Sequence, residues 1–571
     1  MYATALHSAL QEIESIGLHF SGSKLSANSN SVIARRLAGS STRFRMIFSA
    51  ILMIVLAGCS SNPPGADYPK MVSSALAHPE QTRLGDQFAS ASKAHDDYSG
   101  FRIITSGTDA LLVRVQMIDA AQRTLDLQYF IFRGDETGRL VTEALLRAAD
   151  RGVRVRLLID DGDTVRGDEQ VMALGAHSKV EIRVFNPFAY RGHLTLWRAI
   201  EFLFNSSRLD YRMHNKLLVV DNSIAIIGGR NIGNQYFQID PASQFADDDV
   251  FVAGPVAGRL SATFDEFWNS RLAIPAAGIS RMPRPTTASR TNGQSHAVDQ
   301  LLPLKKGETD YASKIASGEP YAGMISGHLP LVWAAASVIS DSPEKKGVET
   351  GALRGRLMSR PLIDAANSVQ AELLIITPYF IPTNEELKVL QDLRVRNARV
   401  QLITNSLKST SDIVAQAAYS NYREGLLKSG IEIYEIRALL GNTRGSGQTA
   451  RISRYGNFGL HAKLFVFDRK KIFVGSMNYD HRSKRLNTEI GLIIDSAELA
   501  QQTVIRFDAM SQPANSYALA LRSSGGGRGP QIVWHTEENG TGVDYFQEPA
   551  RSGWQRLKRK MLSTLPIDRE L

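Results

Sequence analysis

Two stretches of this chain place a histidine and a lysine two residues apart in an apolar, β-branched run, followed by an aspartate, a pair of small residues and an asparagine. The first lies in Tyr211–Asn231 (YRMHNKLLVVDNSIAIIGGRN) and reads His214-x-Lys216-x4-Asp221-x6-Gly228-Gly229-x-Asn231. The second, His461-x-Lys463-x4-Asp468-x6-Gly475-Ser476-x-Asn478, repeats it almost unchanged. Side chains two apart on a strand share a face, so each copy presents one imidazole and one ammonium together. Small residues after the next strand let backbone come close to a ligand, and an asparagine amide donates to an anionic oxygen without carrying charge. These residue types suit phosphate chemistry. Exchange at a phosphodiester needs a nucleophile at phosphorus, a proton donor for the leaving alkoxide and positive charge around the non-bridging oxygens. A neutral imidazole can attack to give a phosphohistidine, while a second, protonated one serves the leaving alcohol and then deprotonates the incoming alcohol or water. Lys216, Lys463, Asn231 and Asn478 would form the cationic pocket that metals supply in other phosphodiesterases. There is no competing His-Glu-x-x-His or cysteine cluster, so the expectation is no metal and no cofactor.

A single His-x-Lys carries little weight, because a snorkelling lysine beside a partly buried histidine is common in sheets. Two complete patterns carry much more. On them the chain resembles the phospholipase D superfamily, and more closely its bacterial cardiolipin synthase branch. Tyr211–Lys216, Gly228–Gly233 and Leu565-Pro566-Ile567 also look like the exported members of that branch, and the resemblance covers residues 80–571. It implies an α/β fold of two tandem α/β/α sandwich repeats, related by a pseudo-twofold axis and sharing one active site. It implies a phosphatidyltransferase making cardiolipin from phosphatidylglycerol and a second phospholipid, with His214 as nucleophile and His461 as acid and base. The superfamily also places a carboxylate downstream of each motif to orient a histidine. That points to Asp247 and Glu489, with Asp248 and Asp249 adjacent to the first. Asp221 and Asp468 belong to the signature and are counted with the catalytic set, although each could equally stabilise its turn. A hydrolytic phospholipase D or a nuclease would use the same chemistry with another acceptor or substrate.

The elements around the motifs follow a β-α-β-α-β order: strand Gly100–Ile104, helix Ala110–Arg123, strand Leu125–Phe132, helix Thr137–Arg151 stopped by Gly152, strand Val153–Ile159. The same words recur in the second half. Ile118-Asp119-Ala120-Ala121 answers Ile363-Asp364-Ala365-Ala366, and Tyr129-Phe130-Ile131 answers Tyr379-Phe380-Ile381. Val153–Ile159 answers Ala398–Thr404, so the chain reads as an internal duplication. The expected division is a first repeat at 81–281, a Pro/Ser/Thr/Gly-rich linker at 282–325, a second repeat at 326–510 and a basic extension at 511–571.

The remaining features concern location. At 571 residues, 43% hydrophobic and 22% charged, the composition is that of a globular protein, and a net charge of +9 favours an anionic partner without choosing one. The single cysteine, Cys59, excludes an intramolecular disulfide. It follows Arg43, Arg45, the apolar run Met46–Leu56 and Leu56-Ala57-Gly58, and precedes Ser60-Ser61-Asn62-Pro63-Pro64-Gly65. This resembles a bacterial lipoprotein signal, giving a leader at 1–58, a lipidated Cys59, a tether at 59–80 and a membrane-anchored, periplasm-facing protein. Ser60 after the cysteine implies the outer membrane. A nuclease has no evident need of such an anchor, and no nucleic-acid partner is expected. The Gly-rich 523–530 lacks the Gly-Lys-Ser/Thr ending of a nucleotide-binding loop. Ser552–Leu565 is an amphipathic helix candidate, with Trp554, Leu557, Met561 and Leu565 on a stripe beside Arg556, Lys558, Arg559 and Lys560, suited to an anionic lipid surface or to packing on the domain.

Overall fold

The apolar runs that follow each His-x-Lys become central strands buried on both faces, and the rest of each half is arranged around them. The computed structural model describes residues 62–162, 174–191, 195–239, 243–279, 322–325, 330–438, 457–523 and 530–567. The leader, Cys59, most of the expected linker and the core of the Gly-rich stretch lie outside the described residues.

In the first half the strands are β1 (Ser99–Ile104), β2 (Thr124–Tyr129), β3 (Arg154–Asp160), β4 (Val180–Phe185), β5 (Lys216–Val220), β6 (Ile224–Gly228), β7 (Ser243–Ala246), β8 (Asp249–Ala253) and β9 (Ala273–Pro275). In the second they are β10 (Val332–Ser340), β11 (Glu372–Ile376), β12 (Arg399–Asn405), β13 (Glu432–Ile436), β14 (Asn457–Leu460), β15 (Leu464–Phe467), β16 (Lys471–Gly475), β17 (Ile490–Asp495), β18 (Ser516–Arg522), β19 (Gln531–Glu538) and β20 (Thr541–Tyr545). Pairing gives β1-β8-β6-β5-β2-β3-β4-β9 in one half. The other runs β10-β17-β16-β15-β11-β12-β13-β18, strand for strand the same order. The two sheets join through the equivalent strands β1 and β10, which pair antiparallel from Ser99↔Ala334 to Phe101↔Val332. An antiparallel pairing of equivalent strands is what a twofold axis between the halves requires.

Alternate residues of β5 enter different cores. Leu218 and Val220 pack with the helices Gly107–Ala120 and Glu136–Asp150, whereas Leu217 and Val219 enter a core shared by both halves. That shared core also takes Leu260 and Phe264 from the helix Pro255–Asn269, and Leu499 and Val504 from the helix Ala497–Ser511. Each hairpin after a motif is tight, with Asp221 and Asn222, and likewise Asp468 and Arg469, at φ between 49° and 53°, the left-handed pair of a two-residue hairpin turn. Gly152 ends its helix at φ 92°, as a C-terminal glycine should.

Two boundaries differ from the sequence expectation. Described residues of the expected tether lie on the first repeat: Lys70 Nζ donates to Ser270 O at 2.5 Å, and Arg183 and Arg156 donate to Met71 O and Ser73 O. A stretch without periodicity can still be held by backbone carbonyls offered to buried arginines. The region after 510 is also not a separate extension, because β18 closes the second sheet beside β13, in the place β9 takes beside β4, and the hairpin β19–β20 extends it.

Candidate active site

His214 and His461 each sit just before a central strand, at the edge where the parallel strands β2–β4 and β11–β13 end. Tyr129 at the end of β2 pairs with Lys216, and Ile376 at the end of β11 pairs with Leu464. Both histidines are almost fully buried, at 6% and 9% exposure. Each is fixed by the other half of the chain. His214 N donates to Thr488 O at 2.9 Å, and His461 N donates to Ala246 O at 2.8 Å. The next residue along each acceptor segment is the acid. His214 Nδ1 lies 2.9 Å from Glu489 Oε2, and His461 Nδ1 lies 2.6 Å from Asp247 Oδ2. The orienting carboxylates are thus exchanged between repeats, a crossing that linear order does not reveal. It follows from the pairings Met213↔Thr488 and Leu460↔Ala246, which dock the residues before each histidine on the segment before the opposite acid.

The neighbouring acids are committed elsewhere. Asp249 accepts from Arg114 at 2.8 Å and from Arg230 at 3.1 Å, and Asp248 pairs with Arg506 at 3.1 Å. Asp221 and Asp468 lie at the far ends of their strands, away from the lysines. Asp221 accepts from the backbone N–H of Gln122, Arg123 and Thr124, each at 2.8 Å, and Asp468 does the same for Gln370, Ala371 and Glu372 at 2.7–2.9 Å. They are therefore corrected from catalytic to structural: each satisfies backbone donors where a helix feeds the neighbouring strand. The small-residue pairs have a different reason as well. A Cβ on Gly229 would stand 2.1 Å from Asp247 Oδ1, and Ser476 Oγ donates to Glu489 Oε2 at 2.5 Å. They admit and anchor the orienting acids.

Lys216 Nζ donates to His214 O at 2.5 Å, and Lys463 Nζ lies 2.9 Å from the His461 ring. Asn231 Oδ1 accepts from Ile131 N at 3.1 Å, which turns its NH2 group the other way, and Asn478 is nearly buried with its Oδ1 unpartnered among described residues. Aromatic rings wall the pocket: Phe130 stands edge-on to His214 at 5.0 Å, and Tyr236 and Phe245, from the first repeat, flank His461 of the second at 5.2 Å.

Burial and mutual repulsion set the resting charges. Burial, with Lys216 and Lys463, holds His214 well below the usual histidine value. Burial and Lys463 hold His461 down at about 3. Burial lowers Lys216 strongly and Lys463 to about 8, while Glu489 is pushed up to about 7 by burial, against Lys216. Burial works against ionisation of Asp247, but His461 and Lys463 outweigh it and hold the carboxyl below its ordinary range. Groups of each repeat act on those of the other, so the two motifs form one electrostatic unit. Burial and the lysines thus favour the neutral imidazole at both positions, and an arriving anion would relieve the repulsion among the lysines.

Sequence reading missed the supports beneath each histidine. Asp160, at the end of β3, accepts from Met213 N at 2.8 Å, and Asn405, at the end of β12, accepts from Leu460 N at 2.8 Å. Both directly follow the duplicated words Val153–Ile159 and Ala398–Thr404, so extending that alignment by one residue would have found them. Asp341 accepts from Glu489 N at 2.9 Å and from the buried Lys345 at 2.8 Å, a contact no local pattern announces. Among the described residues no group of three or more His, Cys, Asp or Glu is placed to hold a metal ion.

The family described as "Cardiolipin synthase, PLD-like domain" matches residues 115–268 and 362–511, one segment in each repeat. The chain belongs to that family. It is 34% identical to cardiolipin synthase C of Escherichia coli K12 over 85% of this chain and 99% of that one. Cardiolipin synthase A of Proteus mirabilis is 23% identical over 72% of this chain and 69% of its own length. A solved phosphatidylserine synthase of Haemophilus influenzae aligns with 76% of this chain and 92% of that one, at 15% identity and a TM-score of 0.48. As a cardiolipin synthase-family protein the chain is a phospholipase D-superfamily transferase acting on phospholipids, and its two matched segments coincide with the two halves that exchange acids across the site.

Proposed function

We propose that this family member makes cardiolipin through a phosphohistidine, with phosphatidylglycerol as acceptor and phosphatidylglycerol or phosphatidylethanolamine as donor. The observation that carries the mechanism is the crossed pair of contacts, His214 with Glu489 and His461 with Asp247. With its Nδ1–H given to Glu489, neutral His214 presents the Nε2 lone pair to phosphorus. A P–N bond forms, the P–O bond to the donor's headgroup breaks, and His461 gives its proton to the departing alkoxide. The phosphodiester's negative charge raises the basicity of His461, so substrate binding itself supplies the protonated partner. His461 then takes the proton of the acceptor's glycerol hydroxyl, whose oxygen displaces His214 and restores both imidazoles. Lys216, Lys463, Asn231 and Asn478 stabilise charge on the non-bridging oxygens in the water-poor pocket.

The protein is also proposed to be an exported lipoprotein anchored through Cys59 and facing the periplasm, with the outer membrane as its destination. Among the described residues no helix is long and apolar enough to cross a membrane. The C-terminal helix Gly553–Leu562 supports contact with lipid, since Trp554, Leu557 and Met561 are 48–67% exposed. The deciding assay gives purified protein phosphatidylglycerol alone and then with phosphatidylethanolamine, and resolves lipid products by mass. Cardiolipin with a released headgroup alcohol is expected. Phosphatidic acid as the main product would make water the acceptor.

A further inference from the structure

The helix Thr195–Phe204, in the excursion between β4 and β5, is amphipathic in the reverse sense. A helix at the surface of a globular protein turns its apolar stripe inward. Here the inward face is charged and anchored. Arg198 donates to Asp161 O at 2.5 Å, and Glu201 accepts from Ala189 N and Tyr190 N at 2.7 and 2.8 Å. Phe202 is the apolar side chain that turns in, joining Phe188 and Leu209. Leu196, Trp197, Leu203 and Phe204 face outward, 46–56% exposed.

Its place in the fold is as specific as its orientation. Asp161, which it grips, directly follows Asp160, the residue that holds the chain entering His214. Another helix with an exposed apolar stripe, Gly553–Leu562, sits at the equivalent corner of the second repeat. Gln555 donates to Leu407 O at 2.7 Å and Arg551 to Lys408 O at 2.8 Å, just beyond Asn405, which holds the strand entering His461. Each catalytic histidine thus has an outward-facing apolar helix fastened to the same sheet corner beside it, and the C-terminal helix adds the cations Lys558 and Lys560, with Arg559 between them paired to Glu548 at 2.8 Å. At ten residues, a length of about 15 Å, the Thr195–Phe204 helix is half a bilayer core and can only lie in the membrane plane.

We propose that Thr195–Phe204 is a bilayer-docking helix which, together with Gly553–Leu562, seats the mouth of the shared site on an anionic phospholipid surface. The choice of lipid over a protein partner rests on the phosphatidyl-transfer reading and on the basic flank of the second helix. Aromatic and leucine side chains on one face with cations nearby are the composition that binds such interfaces.

Amide hydrogen exchange on the full-length protein, with and without vesicles of phosphatidylglycerol and phosphatidylethanolamine, reads the helix directly whatever the state of Cys59. Exchange across 195–204 is expected to slow by about tenfold or more when vesicles are added. The double variant Leu203→Asp/Phe204→Asp should lose this protection and about tenfold of its turnover on vesicles, while retaining turnover of monomeric short-chain phosphatidylglycerol. Unchanged exchange on vesicles, or wild-type turnover of the double variant on vesicles, overturns the proposal. So does a wild-type protein that elutes as a dimer while the variant elutes as a monomer, since the face would then be an interface between copies. If wild type slows exchange on vesicles but transfers nothing from monomeric or vesicular lipid, docking stands and the transfer reading falls.

Discussion

Glu489→Gln tests the crossed site at its most sensitive point, because it keeps the shape of the side chain and changes only what it offers to His214. In the native site Glu489 accepts from His214 Nδ1 at 2.9 Å and from Ser476 Oγ at 2.5 Å. Losing a charge-assisted hydrogen bond in a buried site costs about 1.5–3 kcal/mol, or about ten- to a hundredfold in rate if the bond is needed in the transition state. Ser476 Oγ and His214 Nδ1 both meet Oε2, and Nδ1 also lies 3.0 Å from Oε1. A glutamine whose oxygen takes the Oε2 place keeps the geometry of both contacts and loses only the charge, so the loss should fall within that range. Single-turnover release of headgroup alcohol and acid-quench trapping of phosphohistidine give the readout. The pH profile adds a check with a defined sign. Glu489, at about 7, must be ionised to orient His214, so kcat/KM should fall as pH drops through 7. Lys463, at about 8, must stay charged, so it should fall again as pH rises through 8. Glu489→Gln should remove the acid limb alone. A variant within about twofold of wild type, with the acid limb intact, would refute the account of how His214 is oriented.

Four further outcomes follow from the same geometry. His214→Ala and His461→Ala should each abolish nearly all turnover, because members of one catalytic unit are non-additive, and half-activity in each would mean two independent sites. Asp221→Ala should lower stability by about 3 kcal/mol in chemical denaturation, from three lost backbone hydrogen bonds, with the folded fraction still active; loss of activity without loss of stability would return this residue to the catalytic set. Turnover should persist in EDTA, and death in the chelator with revival by a divalent ion would end the assignment of phosphate charge to Lys216 and Lys463. Fatty-acid labelling of the expressed protein should be lost in Cys59→Ser, and an unlabelled, soluble wild type would remove the anchor.

The duplicated order of elements was legible because each half repeats the same words at the same places, and because strands buried on both faces, such as Leu217–Val220, read as unbroken apolar runs. The histidines, lysines and asparagines were legible because their spacing is fixed by a strand, a tight turn and a strand. What escaped lies between segments distant in sequence. Nothing local in Phe245-Ala246-Asp247 says that its acid serves His461 and not His214; the parallel pairing of β7 with β14 decides that. Nor does an aspartate in a signature reveal whether it faces substrate or caps a backbone, and the sequence left Asp221 open to both readings for that reason. The apolar spacing of the helix Thr195–Phe204 resembles that of any core-facing helix; only the hydrogen bonds of Arg198 and Glu201 on its inner face show which way it points.

The exchanged carboxylates tie the onset of reactivity to the order in which the chain is made. The amino-terminal half is synthesised with His214 and Lys216 in place but without Glu489, and holds Asp247 with no imidazole to direct. Until the segments carrying Glu489 and β14 have docked on the first half, neither histidine has its orienting carboxylate. On the proposed mechanism, a newly made chain is therefore expected to stay inactive toward phospholipids until its two halves dock.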